Sequence, residues 1–354
     1  MSDLRNILLL VDFHGRFQSS VLREDGSMDV GAICHLFSER GYRAQVRRFW
    51  EMDFRQESYR GWPVLYQSPE DPDLHYKGYV EDVLLALESQ GAVLIPPFHC
   101  FRAHHNKVFM ELLRDLSSDE RVAGIRARTY GTLEDFLEDR RPQMGPCLLK
   151  PAAGAGSKGI VKLETGQDWA RAVRRATRSP QPLSEAFKNL LRPWLRWLSR
   201  KYAMTHEEHS LYRAKIVIQE LVPNMTHDYK VLIYGHKHYV LLRRNRKNDF
   251  RASGSGVFEF PEKPPAALLD FASAVFHRFQ APHISMDIGW DGRRFQLLEF
   301  QFVHFGNYTL QRSAWHFRQQ SGSWQLVRES PVLEQEYVRS VTDFLDAQGN
   351  GSAR

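Results

Sequence analysis

Two rhythms of apolar positions run along this chain: short unbroken apolar runs, and longer stretches repeating near every 3.6 residues. Residues 7–11 are a continuous apolar run that meets Asp12, which predicts a buried strand over 6–12. Residues 30–40 carry helical spacing up to a stop at Gly41, and 43–48 predict a second strand. A helix over 79–89 stops at Gly91, and a strand over 92–95 ends at the Pro96-Pro97 break. This alternation predicts a parallel sheet with crossover helices over about the first hundred residues. Asp12-Phe13-His14-Gly15-Arg16 then stands at the usual ligand-facing edge of such a sheet, where an ordinary polar connection would read the same way.

A helix over 105–116 follows, with Lys107 near its start, and then a small mixed unit over about 125–221. From residue 228 the pattern is strand-rich, with strands at 229–234, 238–243, 284–290 and 295–302 and helices at 266–279 and 335–345. No internal repeat is visible.

Composition narrows the class. A chain of 354 residues with 42% hydrophobic content suggests two or three compact units. Cys34, Cys100 and Cys147 are widely spaced with no CxxC pair, which argues for a reducing compartment and against a disulfide framework. The apolar run at 7–11 is too short for a signal peptide or a membrane span. His104-His105 and His236-x-His238 lack ligand partners at metal-site spacing, so they are expected as surface or core residues. The formal charge of +6 is uneven: residues 171–201 hold nine Arg or Lys against Glu185 alone, a local +8.

Lys150 to Gly159 reads Lys-Pro-Ala-Ala-Gly-Ala-Gly-Ser-Lys-Gly. Gly154, Gly156 and Gly159 satisfy GxGxxG, but a dinucleotide fingerprint must leave a strand and open a helix. Here 147–149 and 160–163 are both strand-like, so the setting is strand, loop, strand. Lys158 precedes Gly159 and Ile160 follows it, which also excludes the Gly-Lys-[Ser/Thr] phosphate loop. Two readings remain: a plain glycine-rich hairpin tip, or a flexible tip whose amides and Lys158 cover a phosphate.

The metal candidate is the hairpin over 284–302. A two-residue period sends Glu299 and Gln301 to one face and Phe300 and Phe302 to the other, and Asp287 on the neighbouring strand can join the carboxylate face. Two carboxylates and an amide oxygen are hard, oxygen-only donors suited to Mg²⁺. Two acids on a hairpin can equally be a solvated edge, but Glu299 lies inside the apolar run Leu297-Leu298-Glu299-Phe300, where an unpaired charge is costly.

Taken in order, these elements resemble the ATP-grasp superfamily over roughly 104–305, and specifically carboxylate–amine ligases similar to the ribosomal-protein glutamylation and lysine-biosynthesis ligases. The motifs that carry the resemblance are His105-Asn106-Lys107, the turn from Lys150 to Gly159, and the strand 216–222 with its acid Glu220. They continue with His227-Asp228-Tyr229-Lys230, Leu242-Arg243-Arg244, Asp249-Phe250-Arg251 before Ser253-Gly254-Ser255-Gly256, and the Asp287 to Glu299 hairpin. The resemblance implies an α/β chain with an ATP-grasp fold, two α+β lobes gripping ATP, preceded by an N-terminal parallel-sheet domain. The implied boundaries are 1–103 for that domain and 104–222 for the small lobe, with a basic helical insertion at about 171–212. The large lobe then spans 223–346, and a disordered tail 347–354.

It also implies roles. Lys107 and Lys150 would neutralise the α- and β-phosphates, and Lys158 with the amides of Gly154, Gly156, Ser157 and Gly159 would cover the γ-phosphate. Glu220 and the backbone of Leu221 and Val222 would hold adenine, and Asp228 the ribose side. Asp287, Glu299 and Gln301 would hold Mg²⁺, while Arg251 and Arg243 would stabilise the moving phosphoryl group or clamp a substrate carboxylate. The reaction implied is acyl-phosphate formation from ATP and a carboxylate, then attack by an amine, with an amino acid as one substrate. Two departures from the family pattern stand out: Gln301 occupies an asparagine position, and Lys230 an arginine position.

The stretch 187–202 sets Phe187, Leu190, Leu191, Trp194, Leu195, Leu198 and Tyr202 at helical spacing opposite a cationic side. It reads as a helical insertion docked by its apolar face, or as a contact for an anionic membrane or acidic polymer. No nucleic-acid module is recognisable, which ranks RNA and DNA lower. The sequence therefore points to a cytoplasmic ligase, with possible peripheral placement on the inner membrane face. The competing expectations are a nucleotide-binding module without turnover that recruits an anionic partner through its basic helix, and a phosphotransferase.

Overall fold

A computed structural model of the chain describes residues 4–68, 71, 74–154, 159–179, 191, 210–245 and 256–351. The chain is α/β. β1 (Arg5–Val11) pairs in parallel with β2 (Tyr42–Arg48) and β3 (Pro63–Leu65), and β3 with β4 (Val93–Ile95), giving the order β2-β1-β3-β4. Crossovers are α1 (Val30–Glu39), capped by the Asp29 carboxylate accepting from the Ala32 amide, and α2 (His75–Ser89). Ile7, Leu9 and Val11 join one apolar cluster and Leu8 and Leu10 another, so the unbroken apolar run encodes burial on both faces. The short β3 was not foreseen, and α2 starts four residues before its expected first residue.

Pro96-Pro97 ends a strand as expected, yet a helix, α3 (Phe98–Ala103), opens directly behind it. A proline at a helix start has no amide there to leave unsatisfied. α4 (Lys107–Asp115) begins on the Asn106 cap, whose side chain accepts from the Phe109 amide, and α5 (Glu120–Ala123) follows.

Two compact units are present: one formed by residues up to Ile125 and from Val222 onward, the other by Arg126–Leu221. Residues 104–125, expected to open the small lobe, thus cluster with the first unit. The second unit contains β5 (Ala127–Tyr130), α6 (Leu133–Glu138), β6 (Cys147–Pro151), β7 (Val161–Leu163), α7 (Trp169–Thr177) and β8 (Ile216–Glu220). Its antiparallel sheet runs β5-β8-β6-β7 over a core of its own built from Cys147, Leu149, Ile216, Ile218, Trp169 and Val173.

In the first unit a seven-stranded antiparallel sheet completes the fold. Its strands are β9 (His227–Tyr234), β10 (Lys237–Arg244), β11 (Phe258–Glu259), β12 (His283–Trp290), β13 (Phe295–Gln301), β14 (Trp315–Gln320) and β15 (Ser323–Arg328). The order is β13-β12-β9-β10-β14-β15, with β11 on β10. The helices are α8 (Ala266–Phe276), α9 (Tyr308–Gln311) and α10 (Leu333–Gly351). α10 continues through 347–351, where a disordered tail was expected. Cys34, Cys100 and Cys147 are free thiols, and no helix among the described residues is long and apolar enough to cross a membrane.

Candidate functional site

One face of the seven-stranded sheet turns polar at one end. Tyr229, Val231, Val240, Leu242, Ile284, Met286 and Ile288 all enter one apolar cluster, which sends Asp228, Lys230, Arg243 and Asp287 to the opposite face. Antiparallel register then sets Arg243 opposite Asp228, and Asp287 opposite both Lys230 and Glu299, with Ser285 opposite Gln301. Asp287, Glu299 and Gln301 therefore share a face, as the two-residue period predicts.

That face is tied together by charge. Arg243 Nε and Nη2 donate to the two Asp228 carboxylate oxygens at 2.7 and 2.8 Å, and Nη2 lies 2.8 Å from Asp287 Oδ2. Lys230 Nζ donates to Asp287 Oδ1 at 3.3 Å, and Gln301 Nε2 to Glu299 Oε1 at 3.4 Å. Burial pushes the Asp228 carboxyl up to about 6 against the pull of Arg243. Burial would raise Asp287 too, but Arg243 and Lys230 outweigh it and hold that carboxyl down at about 2. With the carboxylates of Asp228, Asp287 and Glu299 against the cations of Lys230 and Arg243, these side chains carry a formal net charge of −1. Asp228, assigned by resemblance to the ribose side, is in the structure the bidentate anchor of Arg243.

A backbone irregularity shapes the face. Asp287 pairs with Glu299 but Ile288 with Leu297, so Leu298 is the extra residue of a β-bulge. The bulge lets Leu297, Phe300 and Phe302 all reach the apolar cluster although 297 and 300 differ in parity. Leu298 is pressed beside Gly289, where a Cβ would sit 3.3 Å from its methyl groups and 2.7 Å from Met225 Sδ. The donor set formed by Asp287, Glu299 and Gln301 is oxygen-only and fits a hard divalent cation such as Mg²⁺. Among the described residues no three His, Cys, Asp or Glu gather as a metal-holding group, so this set depends on the Gln301 amide.

The second unit supplies a different surface. Cys147, Leu149, Ile216 and Ile218 enter its core, so Lys150 and Gln219 project from the other side of the sheet. Lys150 Nζ donates to Gln219 Oε1 at 2.5 Å. Gln219 was not foreseen; the alternation Ile216-Val217-Ile218-Gln219 beside Lys150 was its signal. The glycine-rich turn joins antiparallel β6 and β7, with Leu149 opposite Val161. Gly159 holds φ +75°, and a Cβ there would lie 3.0 Å from Pro151 Cγ. Gly154 holds φ +116°.

Glu220 lies on the opposite side from Gln219 and is paired with Arg126, whose Nε and Nη2 each donate to a Glu220 oxygen at 3.1 Å. The Leu221 amide donates to the Pro146 carbonyl at 2.9 Å, which removes it from the groups able to meet a base. Val222 opens the return into the first unit. Lys107 is the first residue of α4, in the first unit. Gly156, Ser157, Lys158 and Arg251 lie outside the described residues, as does nearly all of the basic stretch 187–202. At the parallel-sheet edge, Asp12 Oδ1 accepts from the His14 and Arg16 amides at 2.9 and 2.8 Å, so that carboxylate shapes its own loop.

No family model matches the chain, and no curated protein matches it. Among solved structures it is similar to D-cycloserine synthetase DcsG, at 13% identity over 96% of this chain and 99% of that one, with a TM-score of 0.49. It is also similar to the ATP-grasp ligase PsnB complexed with minimal precursor, at 15% identity over 97% and 99% of the two chains, with a TM-score of 0.46. A third likeness is to a RimK domain ATP-grasp protein from Sphaerobacter thermophilus, at 12% identity over 85% and 92%, with a TM-score of 0.44. At these values the three are likenesses of shape alone.

Proposed function

We propose that this chain is an ATP-dependent ligase of the ATP-grasp type, joining a carboxylate to an amine with release of ADP and phosphate. The observation that carries the reading is the sheet face on which Asp287, Glu299 and Gln301 converge beside Arg243 and Lys230. A carboxylate-rich face with one net negative charge suits a divalent cation, and bound there Mg²⁺ would offset the charge of a transferring phosphoryl group.

The chain's own residues then divide the work. Lys150 and Lys107 are assigned to the α- and β-phosphates, and Lys158 with the amides of Gly154, Gly156, Ser157 and Gly159 to the γ-phosphate. Gln219 orients Lys150 through their hydrogen bond. The backbone around Glu220 and Val222 receives the base. Asp228 fixes the plane of Arg243, and Arg251 is assigned to the substrate carboxylate. A substrate carboxylate oxygen attacks the γ-phosphorus as ADP leaves; the amine then attacks the acyl carbon and phosphate departs. Neither step needs a protein nucleophile. We place the enzyme in the cytoplasm, where ATP and Mg²⁺ are supplied.

The test is release of ADP and phosphate over a panel of amino acids and acidic acceptors. Dependence on one carboxylate and one amine supports the ligase. ATP binding without turnover under any acceptor would replace it with a binding module, and a stable phosphate ester with a phosphotransferase.

A further inference from the structure

We propose that Arg114, seated on Glu111, is a positioning residue that pins the β13 bulge at Leu298 and so fixes the direction of Glu299. The proposal rests on the ligase reading for what Glu299 does, but not for how it is held.

Arg114 and Glu111 are both completely buried. Arg114 Nε donates to Glu111 Oε2 at 2.9 Å, and Nη1 donates to the Val122 and Leu297 carbonyls at 2.8 and 2.7 Å. Nη2 reaches the Leu298 carbonyl at 3.3 Å. In a regular strand successive carbonyls point to opposite sides, so one guanidinium meets two neighbours only where a bulge has turned one of them. Among the described residues β13 is also the end strand of its sheet, with no further strand to receive those carbonyls. Val122 lies in the short helix α5, whose last carbonyls likewise need donors from outside.

Stability alone does not explain a buried ion pair here, since apolar residues of similar volume often hold a fold as well. What they cannot do is donate to three carbonyls at once. If the bulge slid by one residue toward the C-terminus, Glu299 would become the extra residue and lose its position opposite Asp287.

The test uses the full chain in two variants. Arg114→Lys keeps a charge against Glu111 but loses the planar fork. The pair Glu111→Leu with Arg114→Met removes both charges together and keeps the volume. Hydrogen exchange is followed in the metal-free, nucleotide-free protein, and the Mg²⁺ concentration for half-maximal ATP turnover is measured separately. Exchange of the 297–299 amides should rise about tenfold in either folded variant, while distant strands keep their protection. The Mg²⁺ requirement should rise about tenfold, with KM for ATP at saturating Mg²⁺ little changed. Wild-type exchange at 297–299 in a folded variant overturns the clamp. Faster exchange with an unaltered Mg²⁺ requirement overturns its action on Glu299. Should Glu299→Ala itself leave the Mg²⁺ requirement unchanged, the metal reading fails, and the exchange result still decides whether Arg114 holds the bulge. Should the double variant not fold, Arg114→Lys decides alone.

Discussion

The polar face of the large sheet and that of the four-stranded sheet meet opposite demands. In the first, Asp228, Lys230, Arg243 and Asp287 sit on interior strands, and each charge is locked to another by short contacts. In the second, Lys150 is bonded to a neutral amide beside a turn whose flanking glycines take backbone angles rare for other residues. Charge on the large sheet is therefore structural as well as chemical. Changes there should disturb folding, while changes in the second unit should register in nucleotide affinity.

The largest expected effect is from Glu299→Ala, which should lower Mg²⁺-dependent turnover by roughly a hundredfold or more and leave metal-free nucleotide binding intact. Steady-state rates and a nucleotide titration measure the two, and unchanged turnover would remove Glu299 from the site. Arg243→Met strands the buried Asp228 carboxylate and leaves Asp287 to Lys230 alone, and should cost about 3–5 kcal/mol of stability in urea unfolding. A near-neutral result would show that the locked face is not structural. Lys150→Ala should weaken ATP binding by about 1.5–3 kcal/mol while barely shifting the urea midpoint; loss of folding instead would erase the contrast between the faces.

Acidity probes the locked face with two signs. Asp287, held at about 2, contributes stability that is present above the ordinary carboxylate range and lost as pH falls toward that value. Asp228, raised to about 6, contributes stability that is present below the ordinary range and lost as pH rises through 6. Urea unfolding across pH 4–7 should show that decline in wild type and not in Asp228→Asn. The smallest effect is expected of Gly159→Ala, about 1 kcal/mol from the positive φ and the Pro151 contact. A larger loss would show the turn to be as rigid as the sheet.

Much of the fold could be read in advance because its signals are local. The apolar run of β1, the Gly41 stop and the strand-loop-strand setting of the glycine turn all lie within a few residues of what they determine. The shared face of Asp287, Glu299 and Gln301 followed from a two-residue period. Other features depend on register. Arg243 and Asp228 meet only because β9 and β10 align them, and nothing in the run Leu297-Leu298-Glu299 marks which residue will bulge. The β14–β15 hairpin was not foreseen, although its two-residue tip Ser321-Gly322, with both residues at positive φ, is a turn signal. Arg114 reads as an ordinary surface arginine of an amphipathic helix; its burial comes from β13, which is remote in sequence.

The pairing of β5 with β8 has one more consequence. Ala127 lies opposite Gln219, and the Glu220 amide donates to the Arg126 carbonyl at 2.9 Å, so the points where the chain enters and leaves the second unit are neighbours in one sheet. Strands so paired stand about 5 Å apart, a gap that a tight turn of a few residues spans. The second unit thus begins and ends on neighbouring strands and has a private core, and Ile125 could be spliced to Val222 without opening either apolar cluster of the remainder.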